Sequence, residues 1–121
     1  MSDNRVYLFD STLRDGAQTT GIDLSTADKV AIAQELDRLG IDYIEGGWPG
    51  ANPTDNAFFE APPKLATSKL VAFGMTRRAG RSKENDPGLK AMLGAGTRTV
   101  CMVGKTWDFH VKPALGIENA E

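Results

Sequence analysis

Apolar residues gather in four short runs, at residues 5–9, 41–45, 69–73 and 99–103, and between the runs they return at helical rather than alternating spacing. Val6, Leu8 and Phe9 read as the first strand. Ser25 with Asp28 three positions on is an amino-terminal capping pair, Ile32, Ala33, Leu36 and Leu39 form an apolar stripe, and Gly40 stops that helix. Asn52-Pro53-Thr54 opens a shorter helix around residues 55–60, which Pro62-Pro63 cuts off. Asp86 caps a third helix with Pro87 in its first turn, and residues 94–96 close it. The tail, residues 113–121, begins a fourth. Strand and helix thus alternate in one array, residues 1–121, with no linker. This is an α/β pattern of parallel strands, and periodicity alone leaves a closed barrel and an open doubly wound sheet both available.

With 40% hydrophobic and 25% charged residues the chain has the makeup of a globular protein. Its net charge of −2 offers no field for nucleic acid, and Arg77, Arg78 and Arg81 form its one basic cluster, suited to small anions. Nothing in the sequence approaches the apolar length of a membrane span, and Met1-Ser2-Asp3-Asn4-Arg5 lacks a secretory apolar run, so the expected compartment is the cytoplasm. Cys101, the single cysteine, sits among Val100, Met102 and Val103 and reads as a small buried apolar side chain.

Candidate chemistry lies directly after the first strand, in Phe9-Asp10-Ser11-Thr12-Leu13-Arg14-Asp15-Gly16-Ala17-Gln18. Arg14 offers an anion stabiliser, Asp15 a hard-metal ligand and Gln18 an orienting amide. Arg14 beside Asp15 is equally a loop-stabilising ion pair when read alone. The segment resembles the signature of the pyruvate carboxyltransferase-like barrel family, which includes isopropylmalate, homocitrate and citramalate synthases and hydroxymethylglutaryl-CoA lyase. Three later segments agree in order and spacing: residues 42–53, similar to the second-strand signature of the citramalate synthase branch, and residues 72–78 and 103–111, similar to its third and fourth strand ends.

The resemblance selects the barrel and implies the amino-terminal half of a TIM (β/α)8 fold, with about four parallel strands and three helices, since a complete barrel needs about 250 residues. It implies a carbon–carbon condensation in which the enolate of acetyl-CoA attacks the ketone of a 2-oxo acid held by a divalent metal, Mg²⁺ or Mn²⁺. Arg14 matches the family's catalytic arginine and Asp15 its metal-binding carboxylate. Glu45, at the end of the second run, either caps the following turn or, as a second catalytic residue, lines the pocket and orients Arg14 or a substrate group; Arg14, Gln18, Thr76, Arg77 and His110 are the expected substrate contacts, although a lone histidine is commonly structural. The parent enzyme is expected to be a homodimer acting in isoleucine biosynthesis.

The family's His-x-His metal pair is absent, and Ser11 and Ala17 stand where threonine and a larger polar residue are usual. A truncated half-barrel would be inactive, leaving strands one and four as open edges. Two alternatives therefore stand beside the citramalate branch: a 2-isopropylmalate synthase fragment, and a noncatalytic half-barrel that only binds ligand or self-associates.

Overall fold

Four parallel strands pair in chain order, β1 (Phe9–Asp10), β2 (Tyr43–Gly47), β3 (Lys69–Met75) and β4 (Thr99–Val103), in a computed structural model that describes residues 4–119. Between them run α1 (Thr26–Leu39), α2 (Pro53–Glu60) and α3 (Pro87–Gly94). All three helices feed one core: Ala33, Phe58, Phe59 and Met92 meet Ile44 and Ala72 of the sheet, with Leu13 of the first loop. A doubly wound sheet reverses its strand order and covers both faces. Strictly sequential order with every helix on one face is the barrel arrangement, with the opposite, inner face turned toward the barrel axis.

Local chemistry explains the element ends. The Ser25 hydroxyl and Asp28 carboxylate form a reciprocal capping box, and Gly40 leaves α1 at φ 90°. Asn52 and Asp86 each cap a helix whose first turn holds a proline. The Asp37 carboxylate, near the end of α1, accepts the backbone N–H groups of Ala66, Thr67 and Ser68 and so fixes the entry to β3.

Several elements differ from the sequence reading. β1 falls at residues 9–10 rather than 5–9; Asp42 takes the Leu8 N–H at 2.9 Å, and Val6 and Leu8 lie exposed on an edge with no further strand beside it among the described residues. β2 starts two residues late because the Ile41 N–H is spent on the Leu36 carbonyl at the helix end. That shift places Glu45 in mid-strand, not at the strand end. β3 runs on to Met75. In α1 the expected stripe buries Ala33 but leaves Leu39 76% exposed, while Lys29 is buried. The tail turns early: a single turn, α4 (Asp108–His110), continues as a π turn over Val111–Leu115 and ends at Gly116, so no helix starts at Pro113. On the helix side of β4, Val100 and Met102 remain exposed.

Gly46 and Gly74 let the helices close onto the sheet. A Cβ at Gly46 would stand 2.5 Å from Phe58 Cε1, and one at Gly74 would stand 2.7 Å from Met92 Sδ. Gly46→Ala is expected to destabilise the fold by about 1–3 kcal/mol through overpacking, read as a lowered denaturant midpoint. The Asp37 carboxyl is held well below the usual carboxylate range, first by the Ser68 N–H and then by those of Ala66 and Thr67. Its folded value being the lower one, its contribution is complete above the unfolded value of about 3.9 and is lost as pH falls toward the folded one. The gap in thermal midpoint between the native protein and Asp37→Asn should be wide at neutral pH and shrink below about pH 4.

Candidate active site at the carboxyl ends of the strands

The loop after β1 is shaped by one carbonyl and one leucine. The Ser11 carbonyl accepts the N–H groups of Arg14, Asp15 and Gly16 at 3.2, 2.8 and 3.2 Å, which curls the chain back on itself. Asp10 receives the N–H and hydroxyl of Thr12 at the strand exit. Leu13 is driven fully into the core, and its neighbours Arg14 and Asp15 stay outside it.

Arg14 then meets three groups. Its Nε donates to Glu45 Oε1, its Nη1 lies 3.4 Å from Asp15 Oδ1, and its guanidinium carbon sits 4.0 Å from the centroid of the Phe73 ring. Its Nη2 makes no hydrogen bond among the described residues. The Glu45 side chain is 1% exposed and Asp15 is 64% exposed, so one carboxylate is sealed in while the other faces solvent. Glu45 Oε2 is buried with no hydrogen-bond partner. Partial burial, and after it the Glu45 carboxylate beside it, pushes the Cys101 thiol up.

The remaining candidates divide between two clefts. Arg14 and Gln18 line one of about 250 Å³ together with Lys29, Trp48, Asn52 and Asp55. Thr76, Arg77, Arg78 and Lys105 line a larger one of about 690 Å³, and Trp48 borders both. The Arg77 guanidinium donates to the carbonyls of Arg78 and Arg81, bracing its own loop. His110 lines neither cleft; its ring packs against Trp107 at 4.5 Å. Arg14, Asp15 and Glu45 are therefore gathered at one point, with Gln18 alongside, whereas Thr76, Arg77 and His110 stand apart from them.

Sequence reading missed a second charged pair. Lys29 of α1, 1% exposed, donates to Asp55 Oδ1, while Asp55 Oδ2 accepts the Trp48 N–H at 2.8 Å and the Asn52 side-chain amide at 3.1 Å. A buried ion pair holds only when its remaining lone pairs are satisfied, as these are. The signal was visible: Lys29 lies on the same helical face as Ala33 and Leu36, where a cation needs a partner. Glu45 shares the inner face with Phe73 and Cys101, Phe73 standing level with Cys101 and Glu45 with Val71.

Among the described residues no three His, Cys, Asp or Glu side chains converge to hold a metal ion. Asp15 fits as one exposed oxygen ligand; it does not make a site by itself. Nor is any helix among them long and apolar enough to cross a membrane.

The HMGL-like family matches residues 5–121, and the chain belongs to that family. It is 52% identical to the (R)-citramalate synthase of Synechocystis sp. over 96% of its own length and 22% of the relative's. Against the (R)-citramalate synthase of Aquifex aeolicus it is 49% identical over 92% of this chain and 21% of that protein. A 2-isopropylmalate synthase of Solidesulfovibrio magneticus is more distant, 34% identical over 93% of this chain and 21% of the relative. Among solved structures, the HMG-CoA lyase of Bacillus subtilis superposes with a TM-score of 0.71 at 18% identity, covering 98% of this chain and 39% of that one. The fold is thus the amino-terminal half of a TIM barrel, and the chain spans about a fifth of the length of the synthases it matches.

A thiol raised in this way alkylates slowly. The pH profile of Cys101 modification by iodoacetamide should lie above the ordinary thiol value of about 8.5, and Glu45→Gln, removing the neighbouring charge, should move it down.

Proposed function

We propose that residues 1–121 form part of the catalytic domain of a citramalate synthase, an acyltransferase that condenses acetyl-CoA with pyruvate. The observation that carries this reading is the Arg14 guanidinium, fixed along one edge by Glu45 and beside an exposed Asp15, with its Nη2 donors unspent. Both the enolate of the thioester and the alkoxide formed at the ketone carbon develop negative charge, and a preorganised guanidinium with free donors stabilises such charge without reorganising. Glu45 holds Arg14 in that pose. Asp15 would be one oxygen ligand of Mg²⁺ or Mn²⁺, which when bound supplies Lewis-acid polarisation of the ketone; among the described residues no three His, Cys, Asp or Glu side chains converge to complete such a site.

Gln18, which shares the smaller cleft with Arg14, is proposed to orient the 2-oxo acid. Thr76, Arg77 and His110 are proposed as outer contacts to the substrates; Arg77 serves there only by exchanging its bonds to the loop carbonyls. The setting proposed for the whole protein is a cytoplasmic homodimer in isoleucine biosynthesis. Identity favours the citramalate branch, at 42–52% over 92–96% of this chain, against 34–44% over 75–93% for the isopropylmalate branch.

In the full-length protein, release of the CoA thiol should require pyruvate. Arg14→Lys, which keeps the charge but loses the planar fork, should lower kcat on the order of 10²-fold or more. A greater kcat/KM with 2-oxoisovalerate than with pyruvate would overturn the citramalate assignment in favour of isopropylmalate synthesis.

A further inference from the structure

An ion pair along one edge does not by itself fix the plane of a guanidinium. The Nε bond to Glu45 tethers Arg14 along one side, and the 3.4 Å contact to exposed Asp15 is long. A second constraint comes from Phe73, on the inner face of β3 opposite Cys101 of β4, only 6% exposed and with no polar atom to contribute. Its ring lies 4.0 Å from the guanidinium carbon, well inside the range of attraction between a cation and the negative face of an aromatic ring. Trp48 meets the same ring edge-on, at 5.2 Å and 81°. Trp48 is in turn held through its backbone N–H by Asp55, and Asp55 by buried Lys29. Contacts therefore run unbroken from the buried pair between α1 and α2 to the guanidinium over the barrel's inner face.

The geometry points to Phe73 as the positioning residue that sets the plane of the Arg14 guanidinium, with Trp48 as its brace. This rests on the proposed condensation only for its kinetic consequence. A ring that merely filled space would act through its shape; a ring that holds Arg14 acts through the charge on its face. Fluorination separates the two, because it withdraws that charge while nearly keeping the shape.

The test is a series of full-length proteins with phenylalanine at position 73 replaced by increasingly fluorinated phenylalanines, assayed for CoA release with pyruvate and for the Arg14 Nε–H resonance by NMR. The expected result is a stepwise fall in kcat, to about a tenth at the highest fluorination, with KM for pyruvate moving less than about threefold. Phe73→Tyr, which keeps the face, should retain most of the rate that Phe73→Leu loses. Ring current should hold the Arg14 Nε–H resonance upfield in the unsubstituted protein relative to Phe73→Leu, the bond to Glu45 being common to both. A flat kcat across the series, or an effect confined to KM, overturns the proposal. So does an Arg14 resonance that Phe73→Leu leaves in place. Should the protein condense no acetyl-CoA, the functional reading fails while the resonance still decides the positioning role.

Discussion

A carboxylate sealed against the inner face of a sheet has to be compensated, and Glu45 imposes that requirement on everything around it. At 1% exposure it is cut off from water, and a carboxylate left without a partner in such a place is costly to bury. Arg14 supplies the compensation. That requires the loop after β1 to present a cation at one height above the sheet, which it does through the curl around the Ser11 carbonyl and the anchoring of Leu13. One oxygen of Glu45 is satisfied in this way and the other is left without a partner. The unsatisfied oxygen lies beside the Arg14 guanidinium, and so the electrostatics and the candidate chemistry share one location.

The second buried pair does comparable work one layer out. Lys29 and Asp55 join α1 to α2, and the free oxygen of Asp55 reaches the backbone at Trp48, where the chain leaves β2. Gly47, at φ 151° and at a break in the strand register, permits that approach: a Cβ there would stand 2.6 Å from the Asp55 carboxyl carbon. Two ion pairs thus tie two consecutive strand-to-helix loops to the body of the half-barrel. By contrast, the loop after β3 is braced mainly by its own carbonyls, through Arg77, and by Asp86, which accepts the Arg78 N–H.

Much of this was legible beforehand. The caps at Ser25, Asn52 and Asp86 and the stop at Gly40 have local causes, a side-chain oxygen or a missing Cβ, and local causes can be read from neighbouring residues. β4 likewise falls at Thr99–Val103 as expected. Choosing between barrel and open sheet was beyond periodicity, because strand order is a property of pairing, and only the family resemblance supplied it. The boundaries of β1 and β2 slipped because side chains and helix ends captured N–H groups that the pattern had credited to the sheet. Arg14, Asp15 and Glu45 converge, and their proximity followed from the barrel geometry; the separation of His110 and Arg77 did not, since it depends on how two loops fold upon themselves. Lys29 was the clearest missed signal, a cation on the buried side of an amphipathic helix.

The curl that carries Arg14 is written in the main chain at position 11. Ser11 contributes its carbonyl oxygen to three successive amides, and its hydroxyl makes no hydrogen bond among the described residues. Exchange of the Ser11 side chain therefore leaves the turn's scaffold intact. Tolerance to exchange should be uneven over three adjacent positions: broad at residue 11, where only the peptide group matters, narrower at Thr12, which closes onto Asp10, and narrowest at Leu13, whose whole side chain is enclosed.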